Sequence, residues 1–550
     1  MKKIRVLIAL SLSLALLCGC GETLSESDSS DGTASGSELT SMEESAMSVE
    51  ESTPSEETTL PEESSTPEQP APQISVAKTE LHAGEQIVVS YSGTDDKDWI
   101  GVYPAGAEPG TMNSLVWQYS VGTGEVRFST SALEPGDYGI YLCDNDGYLV
   151  LAKCTVTLID TDTTDYGVKN AVFHAERKNG VSRSSVTVTP SSSKKLTYLF
   201  YWAKDGARLE DYLPIATVVS SGSDPFEVPF NDTLFMPEGA DSVEVAVRQG
   251  VSESFFAPAN DVLKVPASKL RFTFSVLSDL HIIDTAPQHI SHLHAALSDI
   301  RALTPDTEAI FTVGDNTDRG RKENYELLMK TIAEETSDVG WNVPIRFAMG
   351  NHDQVFNGTY EQQLALFKEY TGMPGVYYAS EFGGMKFLVL GSDEKVGEGV
   401  MHASQLDWLE AQLHSVGTET PVFLFLHQPL VETVAGSLYS SNPDVQYWYG
   451  FSAANDRFRS ILAQYPNAIL FTGHTHWTFE SNRPILYGNG TDASFVGCAS
   501  VGYLWTDEDN STGGSEGWYI EVYEDYILLK GREFTDRKWC AASQFLFPIK

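Results

Sequence analysis

The sequence predicts an α/β catalytic domain preceded by two all-β, sandwich-like domains, and three observations carry that prediction. Short alternating apolar runs broken by turn signals fill about residues 73–266, strands alternate with helical periodicity from about residue 269, and five polar blocks directly follow strands of that last part. The 550 residues suffice for several domains, and the 41% hydrophobic and 11% aromatic content exclude wholesale disorder.

In chain order, residues 1–20 read as an address. Lys2, Lys3 and Arg5 precede a largely apolar run, Val6 to Leu17, too short to span a bilayer comfortably. It ends in Leu17-Cys18-Gly19-Cys20, which resembles a bacterial lipobox and implies a lipidated Cys20 on the outer face of the cytoplasmic membrane. A simple secretory signal or a short anchor is the alternative. Residues 21–72 are mostly Ser, Thr, Glu, Pro and Gly with hardly any large apolar residue; residues 21–77 hold fourteen Asp and Glu and no Lys or Arg. Such a segment buries too little surface to offset its ordering entropy, so a disordered acidic linker is expected. The formal net charge of −40 argues against a nucleic-acid scaffold, which needs a basic footprint.

Residues 73–160 are expected to form the first β-sandwich, with Gln86–Tyr91, Trp99–Tyr103 and Tyr138–Leu142 as strands. Residues 165–266 are expected to form a second, fibronectin-III-like one, with strands at Ser185–Thr189, Thr197–Trp202 and Val243–Arg248. Trp99 and Trp117 are assigned to sandwich cores, whereas an exposed Trp would point to sugar, cell-wall or other glycan contact. Cys143, Cys154, Cys498 and Cys540 lie in no CxxC pair; disulfides and buried thiols both remain open.

From residue 269 to 550 the elements alternate. Phe272–Leu277, Glu308–Val313, Ile345–Met349, Val422–Leu426 and Ala468–Phe471 read as buried strands. Ile290, Leu293, Leu297 and Ile300 recur at helical spacing, a second helix is expected near Glu323–Thr336, and Ser404 to Asp407 resembles a capping box opening a third.

The polar blocks are Asp279-Leu-His281, Gly314-Asp315-Asn-Thr-Asp318, Gly350-Asn351-His352-Asp353, His427, and Gly473-His474-Thr-His476. In open α/β sheets ligands bind beyond the carboxyl ends of strands, so these segments point at one place. Carboxylate, imidazole and carboxamide donors without thiolate suit Mn, Fe or Zn. On extended segments, Asp-x-His and His-x-His send both side chains to one side. Two cations ~3.5–4 Å apart clamp a phosphate and activate water for in-line attack. Asp315 is assigned between them, offsetting their repulsion. Gly314, Gly350 and Gly473 permit sharp turns and close backbone approach.

In order, these blocks resemble the DxH, GDxxD, GNH(D/E), H, GHxH signature of the calcineurin-like metallophosphoesterases, over residues 271–500. The resemblance implies a four-layer α/β/β/α sandwich. It implies one metal on Asp279, His281, Asp315 and His476, and a second on Asp315, Asn351, His427 and His474. It further implies His352 as general acid or transition-state donor, with Asp353 orienting it or a ligand. Purple acid phosphatases place a tyrosine ligand where Asp318 stands, which puts that branch in doubt. Gly391-Ser392-Asp393 with Gln405-Leu-Asp-Trp-Leu409 looks more like the bacterial cyclic-nucleotide phosphodiesterase branch.

Outside the pattern, His289, His292, His294, His402 and His414 are read as surface residues. Asp318 with Arg319 is read as a turn ion pair or a phosphate contact, and Trp477 as rim or core. Pro429–Phe451 is a candidate site cover. The expected function is hydrolysis of phosphate mono- or diesters, nucleotides included; the alternative is a surface-binding protein on a retired phosphatase scaffold.

Overall fold

A computed structural model describes residues 72–549 apart from 83–84, 111, 131–132, 134, 160–166, 179–180, 250–252, 396–398, 439–454 and 508–510. The address segment, Cys20, nearly all of the acidic linker, and residues 439–451 of the candidate cover therefore lie outside the described residues. No helix among the described residues is long and apolar enough to cross a membrane.

Two β-sandwiches come first. In the first, the sheet of Gln73–Val76, Gln86–Thr94 and Gly122–Ser129 packs on a five-stranded sheet containing Trp99–Pro104, Val116–Tyr119, Gly136–Cys143 and Val150–Ile159. Alternation supplies the core: Ile87, Val89, Val126 and Phe128 on one side meet Ile100, Val102, Ile140 and Leu142 on the other. The second packs Val186, Val188 and Val228 against Tyr198, Phe200, Trp202, Val243 and Val245. Its Phe235 joins a small cluster with Leu528 and Leu546, and Leu546 N–H donates back to Thr233 O, so this sandwich is welded to the C-terminal strands.

The catalytic domain comprises β1 (Leu270–Leu277), β2 (Ile310–Val313), β3 (Ile345–Ala348), β4 (Tyr378–Phe382), β5 (Met385–Val389), β6 (Val422–Leu426), β7 (Ala468–Thr472), β8 (Ile485–Leu486), β9 (Ser494–Gly497), β10 (Glu516–Tyr523), β11 (Tyr526–Glu533) and β12 (Lys538–Pro548). The helices are α1 (Pro287–Leu303), α2 (Lys322–Glu335), α3 (Tyr360–Thr371), α4 (Ala403–Val416) and α5 (Asn455–Leu462). Two mixed sheets form, ordered β3-β2-β1-β10-β11-β12 and β4-β5-β6-β7-β9-β8. They face each other through a phenylalanine layer in which Phe274 meets Phe423 edge-on at 4.9 Å and Phe311 stacks on Phe425 at 4.3 Å. Each fully buried phenylalanine stabilises the fold by about 1.5–3 kcal/mol, enough to make this layer the rigid base of the site. Leu293, Leu297, Tyr325, Leu328 and Phe367 of α1–α3 pack on the first sheet, and Leu406, Leu409, Leu413, Phe458 and Leu462 of α4–α5 on the second. The expected α/β/β/α layering is thus present.

Some expectations are corrected. The helix at Ala403 starts one residue before Ser404, its N-cap is His402, and no side-chain cap bond forms. The capping box instead opens α3, between Thr359 and Gln362. Trp117 is 55% exposed rather than in a core, whereas Trp99 is buried. Cys143, Cys154, Cys498 and Cys540 are free thiols.

Glu516 begins β10 fully buried, accepting from Phe479 N–H at 2.7 Å and Thr478 Oγ1 at 2.9 Å. Burial, with Glu480 nearby, pushes its carboxyl from 4.5 up to about 8. A raised carboxyl stabilises the native state below its unfolded value, and that contribution is lost as pH rises through the folded one, here between 4.5 and about 8. Glu516→Gln keeps an acceptor for Phe479 and removes the ionisation. The melting temperature of the variant is expected to exceed the parent's by ~2–4 °C at pH 8 and by little at pH 5, measured by calorimetry. An equal shift at both pH values would contradict a protonation origin.

Candidate metal centre

The polar blocks meet beyond the carboxyl ends of β1, β2, β3, β6 and β7. Asp279 and His281 follow β1, Asp315 follows β2, Asn351 follows β3, His427 ends β6, and His474 and His476 follow β7. The expectation of extended Asp-x-His and His-x-His segments is corrected: Asp279, His281, Asp315, His474 and His476 take φ of 53°, 47°, 47°, 70° and 60°. Left-handed residues fold each loop back over its strand end, and the convergence of donors is what holds that strain in place. Gly314 at φ 93° continues the pattern, and a methyl group there would meet the His427 ring at 2.6 Å. A methyl group on Gly350 would fall on the backbone nitrogen and Oδ1 of Asp315. Gly350→Ala is therefore expected to lower metal affinity and kcat/KM by ~10–100-fold, the scale on which support of a ligand acts, as checked by metal titration and assay in excess metal.

Two donor groups share Asp315. Asp279, His281, Asp315 and His476 form one, with His476 Nε2 2.9 Å from Asp279 Oδ1 and His281 Nε2 3.6 Å from Asp315 Oδ2. Asp315, His427 and His474 form the other, with His427 Nε2 3.2 Å from Asp315 Oδ2. Asn351 Oδ1 joins this group at 3.0 Å from His427 Nε2. Hydrogen bonds assign the tautomers: Nδ1–H of His281 donates to Asp318 Oδ1, of His427 to Val313 O, and of His476 to Tyr503 O. Ring nitrogens then meet nitrogen to nitrogen, His281 Nε2 with His476 Nε2 at 3.2 Å and His474 Nδ1 with His427 Nε2 at 3.3 Å. Contacts this close need a proton or a metal cation between the two nitrogens, and the buried carboxylate, imidazole and carboxamide donors fit metal ions.

The electrostatics agree. Burial opposes charge on Asp279, yet His476 and His427 pull it down to about 2, and Asp315 is likewise held well below the usual range. Burial also opposes charge on His427, but Asp315 and Asp279 hold it up at about 9. Burial and the neighbouring His427 push His474 down to about 3. The carboxylates thus retain positive charge at the place where metal would sit.

His352 flanks the first donor group, its ring 4.5 Å from that of His281. Its backbone N–H donates to Asp315 Oδ1 at 2.8 Å, and its Nδ1–H donates to Asp318 O at 3.0 Å. Burial pushes this imidazole down, but Asp315 and Asp318 hold it up at about 9. Of the two roles expected of Asp353, orienting His352 or orienting a ligand, the geometry agrees with the second. Buried, it accepts from Asn316 N, Thr317 N, Thr317 Oγ1 and Gly350 N at 2.9–3.2 Å, stapling the loops that carry Asp315 and Asn351.

Sequence reasoning understated Asp318. Its ion pair with Arg319 is present at 2.8 Å, but its other oxygen holds His281 and its carbonyl holds His352. The second aspartate of Gly-Asp-x-x-Asp was the available signal, as histidine ligands ordinarily lean on a carboxylate. Tyr503 was missed: its ring lies 4.3 Å from His476 and 5.3 Å from His281, with no motif to announce it. The surface reading of His289 and His292 is corrected, since both are buried. Nδ1–H of His289 supports His281 O at 2.9 Å, and His292 faces Glu108 of the first sandwich at 3.8 Å. His294 pairs with Glu335 at 3.0 Å, and His402 sits exposed beside Glu394. Trp477 is buried, its Nε1–H on Asp507. Gln405 Nε2 donates to Gly391 O and Asp393 Oδ2, so the two segments likened to cyclic-nucleotide phosphodiesterases clasp each other.

Residues 272–478 match the family model described as calcineurin-like phosphoesterase. This part of the chain is a calcineurin-like phosphoesterase domain. A 3′,5′-cyclic-nucleotide phosphodiesterase of Nostoc sp. is 24% identical over 222 residues, 39% of this chain and 75% of that protein. A protein of Arcobacter nitrofigilis described as a probable glycerophosphodiester phosphodiesterase is 26% identical over 189 residues, 34% of this chain and 62% of that protein. A solved dimetal phosphatase from Danio rerio aligns over 51% of this chain and 100% of its own at 15% identity and a TM-score of 0.37. With phosphodiesterase relatives and a candidate metal cluster, the phosphoesterase domain is that of a metal-dependent phosphoester hydrolase.

Proposed function

We propose that the phosphoesterase domain hydrolyses phosphate esters, diesters foremost, at a centre of two cations drawn from Mn, Fe and Zn. The observation that carries this reading is the pair of donor groups sharing Asp315, each closed by two imidazole nitrogens 3.2–3.3 Å apart. The names of the two curated relatives support the diester class. When bound, such cations supply positive charge to phosphoryl oxygens and lower the pKa of water.

The chain's own residues do the rest. Asp315 lies between the donor groups and offsets cation repulsion. Asp318 fixes the rings of His281 and His352, and Asp353 locks the two loops. With Nδ1–H committed to Asp318 O, His352 directs Nε2–H to the leaving-group oxygen.

The test is hydrolysis of bis(p-nitrophenyl) phosphate, 3′,5′-cyclic AMP, glycerophosphocholine and p-nitrophenyl phosphate after loading with Mn, Fe or Zn. Turnover of diesters above the monoester is expected; no turnover under any metal would overturn the reading. We further place the protein at the cell surface, tethered through lipidated Cys20, on the strength of the lipobox-like segment. Cys20→Ala is then expected to move it from the membrane fraction to the soluble one. A binding role for the first β domain, in keeping with glycan contact, is supported by its exposed aromatic cluster, whereas the intact donor set speaks against a retired scaffold.

A further inference from the structure

We propose that the first β domain binds a neutral polysaccharide in the groove between Trp117 and Tyr148. This groove of about 330 Å³ is bordered by Trp99, Trp117, Tyr119 and Tyr148, with Asn113, Ser114 and Asp146 supplying polar groups. Trp117 and Tyr148 are each 55% exposed, and Tyr119 is 46% exposed. A small domain gains nothing in stability from such rings in water; grouped, they mark a binding surface.

The rings are held in place. Trp99 is the buried anchor, with Trp117 edge-on at 6.1 Å and Tyr148 edge-on at 6.0 Å. Its Nε1–H donates to Gly147 O at 2.9 Å. The carboxylate of Asp98 accepts from Asp95 N and Asn145 N, and Asp146 N donates to Lys97 O, so two loops are laced together behind the rings. Tyr119 O–H donates to Asp146 Oδ1 at 2.7 Å. Aromatic side chains with few rotors on a laced frame lose little entropy on binding. Tyr103 adds an independent sign of a ligand. It is fully buried and lines the groove, and its hydroxyl lies beside Ser114 yet completes no hydrogen bond.

The chemistry selects the occupant. A pyranose ring has an apolar C–H face that stacks on the negative face of an aromatic ring, and edge hydroxyls that pair with Asn113, Ser114 and Asp146, with Ser114 linking them to Tyr103 behind it. The described residues that line the groove include no cation, and Lys97 beside it is already paired with Asp146 at 3.0 Å, which disfavours a polyanion. A bilayer meets protruding rings on a flat front, not the polar side chains Asn113 and Ser114 set in a concave groove.

The test uses the full chain with cellohexaose, chitohexaose, mannohexaose and maltohexaose, read by tryptophan fluorescence and calorimetry, and with insoluble cellulose and chitin by pull-down. At least one probe is expected to bind. Trp117→Ala and Tyr148→Ala are each expected to weaken binding by ~10-fold or more, and Trp117→Phe by less, with kcat/KM on bis(p-nitrophenyl) phosphate unchanged. An unchanged circular dichroism spectrum and melting profile show that the variants fold, and the unchanged rate separates this proposal from the catalytic one. No binding to any probe, or binding indifferent to Trp117→Ala and Tyr148→Ala, would overturn it. So would Trp117-dependent binding only to phosphatidylglycerol vesicles, or only to a peptide of the proline-bearing residues 54–72.

Discussion

Replacing Asp315 by asparagine is expected to lower kcat/KM on the order of a thousandfold or more, and to lower metal content below the parent's, from two ions per chain to one or none if the proposed two-cation centre holds. Asp315 Oδ2 approaches both donor groups, 3.6 Å from His281 and 3.2 Å from His427, while Oδ1 accepts the backbone N–H of His352 at 2.8 Å. Asparagine keeps the shape and that hydrogen bond, so the loop after β3 stays in place. It loses the charge that would lie between the two proposed cations, and several kcal/mol of charge stabilisation corresponds to roughly a thousandfold in rate or more. Elemental analysis with single-turnover kinetics checks this. A variant that retains two metals and near-parental turnover would remove Asp315 from the shared position.

His352→Ala is expected to lower kcat by ~10²–10⁴-fold while metal content stays near that of the parent, the range ascribed to a positioned proton donor. His352 contributes no ring nitrogen to the two shared-aspartate donor groups, and its backbone hydrogen bond to Asp315 survives the substitution. Leaving groups supply the sharper test. An alkoxide needs a proton as it departs and p-nitrophenolate scarcely does, so the defect should be large on alkyl diesters and shrink on bis(p-nitrophenyl) phosphate. Equal defects on both, or loss of metal with loss of rate, would make His352 structural rather than a donor. Asp318→Asn offers the complementary case. It keeps the Asp318 carbonyl that accepts from His352 but removes the carboxylate from His281. A smaller rate loss with weakened metal binding, of ~10–100-fold, is expected.

Much of this molecule was legible in one dimension. Five blocks at strand ends named the residues that the fold gathers at the candidate metal centre, because binding chemistry restricts residue type and β-strand periodicity places loops at one edge of a sheet. Val422–Leu426 announced a buried strand because side chains sealed between two layers leave no polar positions, whereas Phe272–Leu277 announced one through its large apolar residues although it carries Thr273 and a buried Ser275. What could not be read was pairing between distant segments. The antiparallel joining of β10 to β1 spans some two hundred and fifty residues, and nothing local in Glu516–Tyr523 selects β1 as its partner. Asp353 was expected to orient His352 or a ligand, and only the folded loops show which: it reaches Asn316, Thr317 and Gly350 on the loops that carry Asp315 and Asn351, while Asp318 takes His352. His289 and His292 looked like surface residues because helical spacing does not reveal which neighbours close over a face; Val501, Gly502 and Glu108 do so here. Trp117 erred the other way, its strand alternation consistent with either face until the sheet is assembled. Residue type and local period, being short-range properties, settled which chemistry this chain carries. Long-range packing, which no window of sequence contains, decided which carboxylate serves which imidazole and which aromatic rings meet water.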